Sequence, residues 1–242
     1  MGSKGGSSIL RKPRFLCLHG FRTSGEKMKK QLHKWPKSVI GRLELVFLDA
    51  PFPCRGKSDY DGIYDPPYYE WYQYNKEFTV YTNLEKCFEF LEDRMVKLGP
   101  FDGLIGFSQG AILSGALLGM QAKGIAFQKV PKIKFVIIIG GAMFKSTKMR
   151  ENAYSSSLDT LSLHILGEKD FVKHSGIKLT ELFQNPVVVH HSKGHTVPRL
   201  DDKSLENVTR FIDTIEHLVM EEDKKNGEET NSTSIGQIMG RL

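Results

Sequence analysis

The chain has 242 residues, 40% hydrophobic and 26% charged, with a formal net charge of +6. That length suits one large domain that buries a full core without disulfide or metal staples, and the longest apolar runs, such as Val136–Ile139, are far too short to span a bilayer. Cys17, Cys54 and Cys87 lie far apart with no CxxC and no Cys/His cluster, which argues against structural zinc and a disulfide framework and for a reducing compartment, the cytoplasm, with the nucleus left open.

Residues 1–11 read as a flexible leader without a signal-peptide pattern, and residues 12–221 as a single domain. Charge is uneven: residues 1–42 carry eleven Lys/Arg and one acid, Glu26. Lys27, Lys29, Lys30, Lys34 and Lys37 crowd one helix, read either as a solvated face or as a patch for an anionic partner or substrate handle. No RNP, KH, zinc-finger or helix-turn-helix pattern accompanies the charge, so nucleic acid is not expected.

Arg14–Leu18, Leu43–Leu48, Phe101–Phe107, Lys134–Gly140, Leu161–Gly167 and Pro186–His191 read as strands apolar on both faces, as parallel strands covered on both sides are. Helical patterns follow at Tyr81–Leu98, with Leu84, Phe88, Leu91 and Met95 on one face, at Ser108–Lys123, at Val172–Phe183 and at Ser204–Glu222, the last capped by Asp201 or Asp202. The alternation predicts an α/β fold: a doubly wound, mostly parallel sheet of about six strands with helices on both faces and functional loops at the strands' carboxyl ends. Two segments break the pattern. Residues 52–78 form an aromatic-rich excursion, with six of the eight tyrosines between Tyr60 and Tyr74, read as an ordered cover over a pocket bordered by Trp71, Tyr72 and Tyr69, or alternatively as rings packed on the sheet edge. Residues 222–242 are polar and charged, and disorder is expected there.

Gly106-Phe107-Ser108-Gln109-Gly110 is a G-x-S-x-G pentapeptide between an apolar strand and an Ala/Leu-rich helix. That context, rather than the string, marks a nucleophile elbow at Ser108, a sharp turn whose flanking glycines avoid the neighbouring backbone. An activated serine needs a base, and the base an orienting acid, in the chain order Ser, Asp/Glu, His. Asp170 follows one strand, with Glu168 as competitor, and His195 follows the next through Gly194, with His190 and His191 as competitors. Asp170 and His195 are favoured by their positions in loops. The amides of Gln109 and of Phe21, after the flexible Gly20, are the expected oxyanion donors. His19 is read as a support of that loop and Cys17 as a core residue. This chemistry needs neither metal nor organic cofactor.

Leu18-His19-Gly20-Phe21, Leu48-Asp49-Ala50-Pro51, Trp71-Tyr72, Gly106–Ala111, Gly167-Glu168-Lys169-Asp170 and Gly194-His195 together resemble the family of serine hydrolases (FSH) within the α/β-hydrolases, over roughly residues 12–220. The resemblance implies an α/β-hydrolase fold, Ser108, Asp170 and His195 as a triad, and hydrolysis of carboxylic esters or thioesters, often of an acyl chain. It also implies an acyl carrier as a source of substrate, which makes an anionic carrier the natural partner for the basic segment. The rival expectation is a ligand receptor on a hydrolase scaffold with slow or absent turnover. Chain length of the acyl group, the leaving group and the oligomeric state are not set by these residues.

Overall fold

A computed structural model describes residues 11–59 and 61–239; Tyr60, most of the expected leader and the last three residues lie outside them. In chain order the elements are β1 (Arg14–Leu18), α1 (Gly25–Leu32), α2 (Lys37–Ile40), β2 (Glu44–Leu48), β3 (Phe52–Pro53), β4 (Tyr69–Glu70), β5 (Gln73–Tyr74), β6 (Tyr81–Thr82), α3 (Leu84–Leu98), β7 (Gly103–Phe107), α4 (Gln109–Ala122), β8 (Phe135–Ile139), α5 (Thr147–Tyr154), β9 (Leu161–Gly167), α6 (Lys173–Thr180), β10 (Val187–His191) and α7 (Asp202–Met239). Six strands form one sheet in the order β10-β9-β8-β7-β1-β2, with every pairing parallel.

Strand side chains sort by period two, as the pleat requires. Phe15, Cys17, Ile105, Phe107, Phe135, Ile137 and Ile139 join one core with Met28 and Leu32 of α1, Val39 of α2 and Phe211 and Ile215 of α7. Leu16, Leu18, Leu104, Val136 and Ile138 join the other with Leu91 of α3, Leu117 of α4, Met149 of α5 and Leu179 of α6. The chain leaves β1 for β2 and returns to β7 on the other side of β1, so the strand order reverses between β1 and β7. Crevices open at the carboxyl ends of strands at such a switch point.

Two sequence expectations change. Arg11, assigned to the leader, bonds Asp102 at 2.6 and 3.0 Å and Asp223 at 3.1 Å, pinning the chain entry to α7. The last helix does not stop at Glu222 but runs to Met239: Arg11 and Lys134 hold Asp223 and Glu222 at the start of the expected tail. Asp201 is its cap, its carboxylate accepting from the Ser204 amide at 2.8 Å. The excursion is folded, as two small antiparallel pairs, β3–β4 and β5–β6. No helix among the described residues is long and apolar enough to cross a membrane.

Candidate active site

The turn after β7 is forced by sterics. A Cβ on Gly106 would sit 2.5 Å from the Ala111 Cα, and one on Gly110 would collide with the Leu18 carbonyl oxygen. Helix α4 can therefore lean onto β1 only with glycine at both positions. The residue between them, Ser108, takes φ 53° and ψ −115°, an uncommon backbone for a side chain to occupy. Its amide donates to the Ile139 carbonyl at 3.0 Å, which fixes the turn against β8.

The structure brings Ser108, His195 and Asp170 into one hydrogen-bonded chain. Ser108 Oγ lies 2.8 Å from His195 Nε2, and His195 Nδ1 lies 3.0 and 2.9 Å from the two Asp170 oxygens. The Asp170 carboxylate is nearly buried and also accepts from the Val172 amide at 2.9 Å. Gly140, at φ 55°, passes beneath: a Cβ there would press to 3.1 Å on the imidazole and 3.2 Å on Asp170. The imidazole lies between Phe107, at 5.1 Å between ring centres, and Phe171, at 4.6 Å. The competitors stand apart. Glu168 pairs with Lys173 and with His190 Nδ1 at 2.9 Å, while His191 Nδ1 accepts from the Lys193 amide at 3.3 Å.

The loop after β1 closes the other side. Gly20 approaches so near that an added Cβ would meet Phe107 at 3.1 Å and the Ser108 Cβ at 3.4 Å. Among the described residues, neither the Phe21 nor the Gln109 amide donates to a protein acceptor, whereas the neighbouring Ser108 and Gly110 amides do. Two unengaged N–H groups therefore flank the serine, one at the amino terminus of α4, where the helix dipole favours negative charge.

His19 holds this loop. Its Nδ1 bonds the Gly20 carbonyl at 2.7 Å and its Nε2 accepts from the Ala50 amide at 3.0 Å, a pattern that requires the neutral tautomer with the proton on Nδ1. Burial pushes its pKa down to about 4. Its carbonyl accepts from the Gly110 amide at 3.2 Å and from the Trp71 indole at 2.8 Å.

The expected pocket position of Trp71 is thereby corrected. The ring is fully buried, 5.0 Å from His19, and supports the loop from behind rather than facing a substrate. Tyr72 is buried as well, packed on Tyr81 at 5.6 Å and Phe144 at 5.3 Å, and Tyr69 is half-buried, its amide bound to the Thr23 carbonyl at 2.7 Å. The Gln109 side chain makes the joint: its oxygen accepts from the Trp71 amide at 3.0 Å and its nitrogen donates to the Tyr72 carbonyl at 2.8 Å. Sequence reasoning used Gln109 for its backbone alone. The ring that stands against the site is instead Phe171, on the His195 imidazole. Phe171 is 81% exposed, and an apolar residue directly after Asp170 was the available signal.

The basic cluster does not line this site. Lys27 is buried, donating to the Pro67 carbonyl at 2.8 Å, and burial pushes its ammonium below its ordinary pKa. Lys29, His33 and Lys37 instead rim a cavity of about 350 Å³ at the sheet edge, floored by Leu32, Ile40, Leu45 and Phe47. A larger cavity, about 610 Å³ lined by Leu118, Phe127 and Asp159, lies at the far end of α4, away from Ser108. Among the described residues no group of three or more His, Cys, Asp or Glu side chains is arranged to hold a metal.

The architecture is shared with solved hydrolases. Acyl-protein thioesterase 2 of Zea mays superimposes with a TM-score of 0.60 at 17% identity, covering 86% of this chain and 95% of that one. The Bacillus cereus carboxylesterase gives 0.56 at 16% identity, covering 84% and 88%. The fold is that of the α/β-hydrolases. Sequence comparison narrows it. The family model described as "Serine hydrolase (FSH1)" matches residues 8–206, and the chain belongs to that family of enzymes. Among curated relatives it is 30% identical to Esterase OVCA2 of Bos taurus, over 76% of this chain and 89% of that protein, and 30% identical to Esterase CG5412 of Drosophila melanogaster, over 90% and 81%.

Proposed function

We propose that the protein hydrolyses carboxylic esters or thioesters of acyl chains through an acyl-enzyme on Ser108. His195 Nε2 takes the hydroxyl proton as Ser108 Oγ attacks the acyl carbonyl. Asp170 keeps the imidazole in the tautomer with Nδ1–H and stabilises the imidazolium. The Phe21 and Gln109 amides receive the oxyanion. His195 then gives its proton to the departing alcohol or thiol, a water molecule attacks the acyl-serine with His195 again as base, and the acid leaves. The observation that carries this reading is the unbroken chain Ser108–His195–Asp170 beside two amides with no protein acceptor. The printed names of the Bos taurus and Drosophila melanogaster relatives, both esterases, support the substrate class.

The same reading puts the enzyme in the cytoplasm or nucleus; the unpaired state of Cys17, Cys54 and Cys87 supports a reducing compartment. The basic rim around Lys29 and Lys37 supports an anionic acyl carrier as substrate donor. The test is hydrolysis of acyl esters and acyl thioesters of graded length, with fluorophosphonate labelling of the nucleophile. Turnover and labelling are expected in the wild type and absent in Ser108→Ala. Labelling that survives the substitution places the nucleophile elsewhere; labelling without turnover of any ester or thioester favours a receptor.

A further inference from the structure

A row of rings starts next to Gly20, which packs on Ser108. Phe21 meets Tyr74 with tilted rings 5.1 Å apart between centres, and Tyr74 stacks at 4.6 Å on Phe78. Phe78 is 41% exposed at the tip of the β5–β6 hairpin. It takes φ 59°, uncommon for an aromatic residue. The tip is built to hold that conformation: Asn75 Oδ1 accepts from the Thr79 and Val80 amides at 2.9 and 3.0 Å, and the Phe78 amide donates to the Asn75 carbonyl at 3.0 Å. The tip's hydrogen bonds hold Phe78 at the outer end of the row that begins at Phe21.

Lys145 stands at the outer end of this row, its Nζ 4.9 Å from the Phe78 ring centre. It sits in the segment between β8 and α5 that begins at Gly140, beneath His195. Its backbone is tied to the hairpin, the Lys145 amide donating to Tyr81 Oη at 3.0 Å and that hydroxyl donating to the Phe78 carbonyl at 2.6 Å. Nearby cations are neutralised: Arg22, stacked on Phe21, pairs with buried Glu70 at 2.8 Å, and Lys148 lies 3.8 Å from Glu85. Among the described residues no carboxylate lies within ion-pair distance of Lys145. The row thus runs from oxyanion amide through three rings to an unpaired ammonium.

We propose that Phe21, Tyr74 and Phe78 form the acyl-binding wall and that Lys145 recognises a distal carboxylate on the acyl chain, so that the preferred substrates are monoesters or monothioesters of dicarboxylic acids with an apolar spacer. This rests on the acyl-hydrolase reading of Ser108 and adds the charge and position of the second substrate group. A lysine on an aromatic rim discriminates modestly in water, by about fivefold, and its replacement by an acid adds repulsion to the lost attraction.

The test measures kcat/KM for p-nitrophenyl monoesters of dicarboxylic acids against esters of monocarboxylic acids of matched length, over graded lengths, in wild type, Lys145→Gln and Lys145→Glu, with Ser108→Ala as control and folding checked by circular dichroism. In the wild type the acid-tailed series is expected to be favoured about fivefold at one optimal length. Lys145→Gln should remove that preference and Lys145→Glu reverse it, through KM, with the neutral series changed less than about twofold. A ratio of acid-tailed to neutral substrate that is the same in all three proteins overturns the proposal while leaving the esterase reading intact. Hydrolysis that persists in Ser108→Ala, or no hydrolysis of either series by wild type, instead overturns the reading on which it rests, and the proposal with it.

Discussion

The turn Gly106–Gly110 and the excursion over residues 52–78 meet at the same serine, and different physics holds each. The turn is fixed by exclusion: at Gly106 and Gly110 there is no room for a Cβ, so the backbone alone determines where Ser108 points. The excursion is fixed by polar clasps reaching in from elsewhere. Gln109 grips Trp71 and Tyr72, Arg22 donates to the Arg55 and Lys57 carbonyls, each at 2.7 Å, and Lys27 takes the Pro67 carbonyl. A steric constraint is local and tolerates almost no substitution. A clasp tolerates change at most positions but transmits the loss of its anchor to everything it holds.

The largest effect expected on this comparison is at the turn's own chemistry. Asp170→Asn should lower kcat by about 10³–10⁴-fold, since the imidazole loses control of its tautomer while the turn stays intact. Steady-state kinetics on a variant with an unchanged melting temperature checks it; a loss below tenfold would remove Asp170 from the mechanism.

Next comes the excursion's buried anchor. Trp71→Ala should cost about 3–5 kcal/mol of stability and lower kcat for short and long acyl esters alike, because the ring supports the His19–Phe21 loop and touches no substrate. A selective loss on long chains would return Trp71 to the pocket. Gln109→Leu should cost a comparable amount, about 2–6 kcal/mol, by leaving the Trp71 amide and Tyr72 carbonyl unsatisfied, each a penalty of about 1–3 kcal/mol. The Gln109 amide persists in that variant, so fluorophosphonate should still label Ser108. Chemical denaturation and labelling together separate the clasp from the turn.

His19 joins the two regions, and its burial makes the joint sensitive to pH. Its native pKa is about 4, below the ordinary 6.5, so the unfolded chain takes up the proton first. Its contribution is therefore complete above about pH 6.5 and is lost as pH falls towards 4, at up to about 1.4 kcal/mol per pH unit. His164, pushed by burial to about 3, extends the loss in the same direction. Urea midpoints at pH 7.5, 5.5 and 4.5 should fall in that order, and His164→Leu should flatten the slope; a midpoint independent of pH would contradict the buried neutral state.

How much of this was legible in the sequence follows the same division. The six strands were legible because the central ones, such as β7 and β8, are covered on both faces and leave apolar runs, and the edge strands keep runs of Val, Leu and Phe; the observed ends differ from expectation by at most two residues. Ser108, Asp170 and His195 were legible because each follows a strand in a fixed order. The excursion was legible as ordered, from its tyrosines, but not in its directions. Two-residue strands carry no period, and whether Trp71 or Phe78 faces inward depends on Gln109 and Asn75, whose side-chain bonds leave no pattern in the chain. Helix α5 was missed because Thr147–Tyr154 is polar along most of its length and owes its start to the Ser146 hydroxyl, which accepts from the Met149 amide at 3.2 Å. The extension of α7 was missed for a related reason: its polar composition reads as disorder unless Arg11 and Lys134 are known to be near.

The smallest expected effect is the one that sharpens the assignment of the acid. Glu168 is two residues from Asp170 and also follows β9, and in sequence the two compete. In the structure they differ in what they touch. The Asp170 side chain is 2% exposed and both its oxygens meet His195, whereas the Glu168 side chain is 47% exposed and turned to Lys173 and His190. The bond from Lys173 holds the Glu168 carboxyl below its ordinary pKa, a sign of a surface ion pair rather than of contact with the imidazole of His195. Exposed pairs of that kind contribute little, because water solvates the separated charges nearly as well. Glu168→Gln removes the charge and keeps the shape, so kcat should stay within about twofold and the melting temperature should fall by no more than a degree or two. Raising the salt to about 1 M, where the Debye length falls to about 3 Å, should shrink even that difference. Measured beside Asp170→Asn, the two carboxylates should differ by about three orders of magnitude in kcat; a Glu168→Gln loss approaching that of Asp170→Asn would mean that the loop after β9 rearranges in solution and offers His195 the other acid.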